Sequence, residues 1–198
     1  MTTIDARGLE CPKPVIETKK ITDQGAAEVT VLVDNEVAVS NVTRFLEGQG
    51  FSVTHTGQDK NFSITGKKQG AAAAAAPAPA SVKAGGADYS ILFKADKLGA
   101  ESNGLGEVLM KSYLGVVAQN AQPPVAIALM NEGVRMALKE SSARDTLAAL
   151  EAKGVRILVC GTCTKHFGIT DQVTVGVISN MFEISEAIFG ASKPIVLG

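Results

Sequence analysis

The three cysteines of the chain stand in two patterns that are typical of reactive thiols. Cys11 directly precedes Pro12, and Cys160 and Cys163 form a C-x-x-C pair. The thiolate form of cysteine is both the nucleophile and the metal ligand. Three cysteines are an odd number and too few for a disulfide scaffold, so in a reducing compartment they favour catalytic, redox or metal-binding roles. The sequence therefore predicts thiol chemistry at one or both places.

Cys11 is predicted to lie at the N-cap of a helix that begins at Pro12. Unpaired amide groups and the positive end of the helix dipole would face its sulfur. Arg7 and Lys13 add positive charge, so we expect the thiol pKa to fall below the ~8.5 of free cysteine. Pro12 fixes the backbone beside the sulfur, and Gly8 lets the preceding loop turn sharply. A buried structural cysteine is the alternative, which a loop position outside any apolar run disfavours.

Cys160 and Cys163 follow an apolar strand pattern, at the strand end where open α/β sheets place their sites. We expect Cys160 to be the more buried of the two and Cys163 the more exposed. Lys165 and His166 are close enough in sequence to favour a thiolate. A redox dithiol fits the spacing, although the pair follows the third strand of its domain and not the first. Two small buried side chains are the structural alternative.

Zinc binding is a further alternative for the Cys160–Cys163 pair. Cys160, Cys163 and His166 supply three ligands, but a closed tetrahedral site needs a fourth, or a partner chain. The other histidine, His55, lies in the first predicted domain. We therefore predict no bound metal. A bound dinucleotide is not predicted either, because Gly104-x-Gly106 lacks the third glycine and the downstream acidic residue of that motif.

A small α/β domain, predicted over residues 1–69, contains Cys11 and positions it. Alternating and helical apolar patterns predict the order β-α-β-α-β-β. The strands are predicted at Ile4–Ala6, Val29–Val33, Phe51–Thr56 and Asn61–Thr65, and the helices at 12–22 and about 38–48. Gly57 to Lys60 is predicted as a hairpin loop between the last two strands. The two helices would cover one face of a mixed sheet, giving a two-layer sandwich.

The Cys160–Cys163 pair lies in a separate domain, predicted over residues 88–198. Residues 70–87 read GAAAAAAPAPASVKAGGA, and this Ala/Pro/Gly composition without an apolar face predicts a linker. Beyond it, nearly continuous apolar runs are typical of parallel strands covered on both faces. These runs are Tyr89–Phe93, Val125–Met130, Val155–Val159, Val173–Ile178 and Pro194–Leu197. With helical patterns between them, two capped by Ser142 and Asn180, they predict a Rossmann-like three-layer α/β fold.

Composition excludes several classes of function. The 19 basic and 20 acidic residues give a net charge of −1, and no Lys/Arg stripe dominates. Aromatic residues make up 5% and tryptophan is absent, so neither nucleic acid nor an anionic membrane is an expected partner. No apolar run approaches the ~18 residues of a membrane span. The first residues have no secretory pattern, so we expect a cytoplasmic protein.

The segment around Cys11 resembles the motif of the TusA/SirA-like sulfur-carrier family over about residues 1–68. The matching positions are Asp5, Arg7, Gly8, Cys11, Pro12 and Pro14. In that family the cysteine carries sulfane sulfur as a persulfide between donor and acceptor proteins. The resemblance implies that Cys11 is the persulfide site. It also implies that Asp5 and Arg7 shape the loop and that Lys13 attracts or orients the sulfur.

The second domain resembles the DsrE-like family, whose Rossmann-like subunits can carry a persulfide cysteine after a middle strand, where Cys160 falls. The whole arrangement, with Cys-Gly-Thr-Cys and later Ser179-Asn180-Met181, resembles the YedF-type selenium metabolism proteins. The resemblance implies sulfur or selenium handling, a donor such as a cysteine desulfurase, and a downstream acceptor. DsrE-like proteins commonly assemble, which implies a homo-oligomer. Which of Cys160 and Cys163 acts stays open.

We therefore expect a sulfur or selenium carrier that works through cysteine persulfide. Transfer between Cys11 and the second thiol pair is expected within one chain, because tethering typically gives an effective concentration on the order of millimolar. A thiol redox module is the rival, with Cys160 and Cys163 cycling as a disulfide and the first domain as a docking adaptor. A non-catalytic partner-binding protein is the third interpretation.

Overall fold

A computed structural model describes residues 2–68, 88–99 and 103–198 of the chain. The chain divides into two compact units, and each is treated by itself below. The predicted linker, residues 70–87, lies outside the described residues.

The first unit is a four-stranded mixed sheet with two helices. Its strands are β1 (Thr2–Asp5), β2 (Glu28–Val33), β3 (Phe51–Gln58) and β4 (Asn61–Lys68), and its helices are α1 (Lys13–Asp23) and α2 (Glu36–Gly48). The strand order is β1-β2-β4-β3, with β1 parallel to β2 and both other pairings antiparallel. The predicted order β-α-β-α-β-β is confirmed.

Alternation along β2 explains which face of this sheet is covered. Val29, Val31 and Val33 are fully buried, and α2 buries Val42 and Leu46. Because strand side chains alternate between faces, these valines share one face of the sheet. Both helices pack against β2 and against each other. The apolar stripe of each helix thereby closes the core and fixes the helix starts at one edge of the sheet.

The hairpin between β3 and β4 is tighter than predicted. The strands pair as far as Gln58 and Asn61, so the loop contains only Asp59 and Lys60. Both loop residues have positive φ, 53° and 66°, as a type I′ turn requires. Gly57 therefore belongs to β3 and not to the loop. Its φ is 132°, and an added Cβ would lie 2.1 Å from the carbonyl oxygen of Asn61.

The second unit is a five-stranded parallel sheet with helices, a Rossmann-like arrangement. The strands are β5 (Tyr89–Phe93), β6 (Ala126–Leu129), β7 (Arg156–Cys160), β8 (Val177–Ser179) and β9 (Lys193–Leu197), in the order β8-β7-β6-β5-β9. The helices are α3 (Leu105–Gln119), α4 (Arg144–Ala152), α5 (Gly161–His166) and α6 (Met181–Phe189), with 3-10 turns at Asn131–Ala137 and Thr170–Gln172. Helix α3 packs on α4, and α6 packs on β5, β6 and β7.

Two predictions for the second unit need correction. Strand β8 is shorter than the predicted Val173–Ile178, because Val173 forms an isolated bridge with Leu138 and pairing with β7 starts only at Val177. The predicted cap by Ser142 is also wrong. Helix α4 has Ala143 at its N-cap without a side-chain cap, and the Ser142 hydroxyl donates to the carboxylate of Glu107 at 2.9 Å.

The cap predicted for α6 is confirmed. The Asn180 side chain accepts a hydrogen bond from the Glu183 N–H at 3.1 Å. This bond satisfies one of the amide groups that the first turn of a helix leaves unpaired.

Candidate functional site

Cys11 lies one residue before the helix cap, a correction to the predicted N-cap position. Helix α1 begins at Lys13 with Pro12 as its N-cap. The Pro12 carbonyl accepts hydrogen bonds from Val15 at 3.0 Å and Ile16 at 3.1 Å, which close the first turn. The Cys11 side chain is half-buried and is not part of a disulfide. The thiol therefore lies immediately beside the start of α1, as its predicted chemistry requires.

The loop that leads to Cys11 is held by two carboxylates. Arg7 makes a bidentate ion pair with Asp5, its Nε and Nη2 donating at 2.9 and 2.6 Å. The Gly8 N–H donates to Asp34 at 2.7 Å, and the φ of Gly8 is +72°. Asp34 directly follows β2 and was not among the predicted site residues. A carboxylate at the carboxyl end of a strand beside the predicted loop was the signal for it.

The pKa of Asp5 gives a direct test of the first ion pair. Hydrogen bonds from the Arg7 side chain and backbone lower this pKa from its usual 3.8 to about 2. We expect NMR titration of the Asp5 carboxyl to show a midpoint near 2. In Arg7→Met the midpoint should return most of the way to 3.8, while Arg7→Lys should give an intermediate value because only the charge is kept. Equal midpoints in all three proteins would contradict the pairing.

A small cleft opens beside Cys11 between the first turns of α1 and α2. Its interior volume is about 30 Å³. The lining residues are Leu9, Cys11, Pro12, Pro14, Val15, Asn35, Val37, Ala38 and Asn41. Two of the predicted residues, Pro12 and Pro14, thus form its wall. Lys13 is exposed on α1, is not among the lining residues and makes no side-chain hydrogen bond with any described residue. Asn41, which no sequence pattern singled out, is buried in the wall.

The second thiol pair lies at the carboxyl end of β7. Cys160 is its last residue and is buried, while Cys163 lies in the first turn of α5 and is half-buried, as predicted. The backbone N–H of Asn131 donates to the sulfur of Cys163 at 3.2 Å. Asn131 follows β6 and has a φ of +49°. Neighbouring strand ends therefore bring an amide donor to the accessible thiol.

The buried thiol of the pair is a weak acid. Burial raises the pKa of Cys160 to about 12. Hydrogen bonding from the backbone of Cys163 and Thr162 acts in the opposite direction without offsetting it. At neutral pH the Cys160 sulfur is therefore protonated, and it makes a poor nucleophile.

Lys165 and His166 are exposed on α5, and neither donates a hydrogen bond to a cysteine of the described chain. The His166 ring meets the edge of Phe167, with 5.2 Å between centroids. The guanidinium of Arg135 lies 4.5 Å from the Phe167 centroid. The structure thus brings Asn131 to Cys163 where the sequence had favoured Lys165 and His166.

The described part of the chain shows neither a cluster of metal ligands nor a membrane-spanning helix. Within residues 2–68, 88–99 and 103–198, no group of three or more His, Cys, Asp or Glu side chains is arranged to hold a metal ion. None of the helices described there is both long enough and apolar enough to cross a membrane.

Two family models match the chain, one in each unit. The family described as "Sulfurtransferase TusA" matches residues 2–68. The "DsrE/DsrF-like family" matches residues 89–193. No curated protein matches.

Solved structures are similar to each part. A SirA-like protein from Desulfitobacterium hafniense is 39% identical over 34% of this chain and 96% of its own, with a TM-score of 0.32. The ychN protein from E. coli is 19% identical over 55% of this chain and 98% of its own, with a TM-score of 0.40. A protein of unknown function from Methanobacterium thermoautotrophicum is 19% identical over 55% and 99%, also with a TM-score of 0.40.

A TusA-type domain, at residues 2–68, thus precedes the DsrE-like domain, and both families are related to sulfur transfer. Because the match at residues 89–193 covers more than half of the 198 residues, the chain belongs to the DsrE/DsrF-like family.

Proposed function

We propose that the protein carries sulfane sulfur as a persulfide on Cys11. One observation carries the proposal: the half-buried Cys11 thiol lines a cleft between the first turns of α1 and α2, in the unit matched by the TusA family. In the loading step the Cys11 thiolate attacks the outer sulfur of a donor persulfide. A new S–S bond forms on Cys11, the donor's S–S bond breaks, and the donor leaves as a thiolate. No external oxidant is needed.

The surroundings of Cys11 suit an anionic sulfur. Helix N-termini carry partial positive charge and unpaired N–H groups, and they favour negative charge nearby. Helices α1 and α2 both begin at the cleft. The ion pair of Asp5 with Arg7 and the bond from Gly8 to Asp34 hold the preceding loop. The loop is therefore pre-positioned, and the thiol need not be ordered when a partner docks.

For the second site we propose Cys163 as the thiol that exchanges sulfur. Its sulfur is half-buried and accepts a hydrogen bond from Asn131, whereas Cys160 is buried with a pKa of about 12. Transfer from Cys11 to Cys163 repeats the loading chemistry: the Cys163 thiolate takes the outer sulfur and Cys11 leaves as a thiolate. Lys165 and His166 stay candidates for steering a partner to this exposed surface.

A redox role is the second candidate, and the contrast between the two thiols favours it. One thiol is accessible and its neighbour is buried, as expected for the attacking and the resolving cysteine of a redox dithiol. With a persulfide on Cys163, attack by Cys160 on the Cys163 sulfur would form the Cys160–Cys163 disulfide and release hydrogen sulfide. The sulfane sulfur is reduced and the dithiol is oxidised, so the electrons balance.

The partners that this chemistry requires are a persulfide donor, such as a cysteine desulfurase, and a thiol or electrophilic acceptor. Selenium undergoes the same exchange and is the alternative cargo. We also propose that the predicted linker, residues 70–87, lets the two domains exchange sulfur within one chain. Assembly of identical chains through the DsrE-like domain would place several second sites together.

The test is intact-protein mass after incubation with a cysteine desulfurase and cysteine. The wild type should gain the mass of one sulfur atom or more, and peptide mapping should find it on Cys11. Cys11→Ala should abolish loading, because the first acceptor is gone. Cys160→Ser is the matched control and should load normally.

The carrier proposal is wrong if Cys11→Ala loads to the wild-type extent. The redox candidate has its own readout: hydrogen sulfide release that depends on both Cys160 and Cys163. Comparing the loading rate from a donor that carries a selenosulfide (S–Se⁻) with the rate from the persulfide donor tests which cargo the protein prefers.

A further inference from the structure

Asn41 is a buried amide in the wall of the Cys11 cleft. The residue is 3% exposed and lies among apolar neighbours of α1 and α2. The Oδ1 atom accepts a hydrogen bond from Nη2 of Arg44 at 2.8 Å. Since a guanidinium can only donate, this bond fixes which end of the amide carries the oxygen. The Nδ2 end finds no acceptor among the described residues.

The unused donor end is not sealed from water, because Nδ2 of Asn41 is not one of the fully buried polar atoms that lack a partner in the described chain. Since Asn41 is almost fully buried and lines the cleft, this donor end is reached from the cleft. The same cleft holds a thiol that is proposed to acquire an extra anionic atom. The unused donors of Asn41 are therefore placed where that atom needs them.

The cleft has room for a small atom. Its volume is about 30 Å³, and a cavity needs roughly 10–15 Å³ to hold one water. The outer sulfur of a persulfide therefore fits in it. The starts of two helices beside the cleft, of 11 and 13 residues, favour an anion in it.

We infer that the outer sulfur of a Cys11 persulfide lies in this cleft and accepts a hydrogen bond from Nδ2 of Asn41. This inference rests on the proposed function and names the cargo more closely. The cargo is a single chalcogen atom held as an anion. Asn41 touches the transferred atom, slows its loss to small nucleophiles, and is replaced as a partner when a docked acceptor takes the sulfur.

The experiment uses the full chain with Cys160→Ser and Cys163→Ser, so that Cys11 alone is loaded. Asn41→Leu removes the donors at similar volume, and Asn41→Ala does so with less bulk if the leucine variant folds poorly. Thr43→Val is the matched control: Thr43 lies in the same helix, has a buried hydroxyl without a partner, and does not line the cleft. Circular dichroism and urea unfolding check the fold of each variant.

Loaded protein is treated with cyanide, which takes the outer sulfur as thiocyanate and leaves the Cys11 thiolate. A hydrogen bond to a charged group is worth about a factor of ten or more, so both Asn41 variants should release thiocyanate about tenfold faster than the parent. The pH midpoint for alkylation of the persulfide should rise by about one pH unit, because the anion has lost a donor. Thr43→Val should match the parent in both measurements.

The outcomes separate the two proposals. If the parent protein takes up no sulfur on Cys11, the proposed function fails. If the parent loads but both Asn41 variants keep its release rate and its pH midpoint, Asn41 does not hold the sulfur and this inference alone fails.

Discussion

At pH 7, iodoacetamide is expected to modify Cys160 about a thousandfold more slowly than it modifies free cysteine, and far more slowly than it modifies Cys163. A pKa of about 12 leaves about one Cys160 thiol in 10⁵ ionised at this pH. A free cysteine with a pKa of ~8.5 is ionised to about three parts in a hundred. The thiolate is the reacting species, so ionisation alone gives a difference of this size. Burial of Cys160 further blocks the reagent, while Cys163 is half-buried.

The measurement is peptide mass mapping over time in a Cys11→Ala protein, which removes competition from the first site. The Cys160 rate should still rise about tenfold per pH unit between pH 8 and 10, since its pKa lies above that window. Cys160→Ser should leave the rate at Cys163 within a few-fold of the parent. Comparable rates at the two cysteines at pH 7 would show that Cys160 is open to solvent and would remove the argument for Cys163 as the exchanging thiol.

The first cysteine shows what spacing alone could predict about a site. The run from Asp5 to Pro14 predicted a loop, a thiol beside a helix start and a fixed backbone, and all three are present. The position of Cys11 was off by one residue, because α1 begins at Lys13 and not at Pro12. Asp34 and Asn41 were missed because their roles depend on where β2 and α2 pack, which no local pattern encodes.

The second pair shows the same limit at longer range. The apolar run before Cys160 predicted a buried strand ending in a thiol, and β7 ends there. Lys165 and His166 were favoured as neighbours because they are near in sequence. The group that reaches Cys163 is instead the N–H of Asn131, 32 residues away, since parallel strands bring their carboxyl ends to one edge. Because nearly every residue has a backbone N–H, the residue type at position 131 could not predict this donor.

The fold was more predictable than the site, because periodicity reports burial directly. Alternating valines in β2 and continuous apolar runs in β5 and β6 gave the correct element types. Errors arose where a turn or bridge decided the outcome. The predicted strand at Val173–Ile178 failed because Gly176 has a φ of +79° and packs against Ile157, which breaks the run before pairing with β7 begins.

Gly133→Ala is expected to destabilise the protein by about 1–3 kcal/mol, as overpacking of a filled site does. Gly133 lies in the buried part of the turn that also carries Asn131. A Cβ at this position would lie 2.6 Å from the carbonyl oxygen of Phe93, a backbone atom that already accepts from Met130 at 2.9 Å. A backbone carbonyl fixed in a strand that is paired on both sides cannot move aside as a flexible side chain can, so the turn itself must shift.

Gly115→Ala is the matched control for this prediction. Gly115 lies inside α3, and no described atom is within 4 Å of an added Cβ. Because alanine is favoured over glycine in a helix interior, Gly115→Ala should stabilise the chain by about 0.5–1 kcal/mol. Urea unfolding of both variants measures the change in the free energy of unfolding, which should be opposite in sign for the two. The shift of the turn should also move the Asn131 N–H away from Cys163, so the alkylation rate of Cys163 should change in Gly133→Ala and stay constant in Gly115→Ala. If both variants changed the free energy of unfolding in the same direction, the turn would accommodate the added methyl group without cost. If the alkylation rate of Cys163 stayed constant in Gly133→Ala, the turn would not position the thiol.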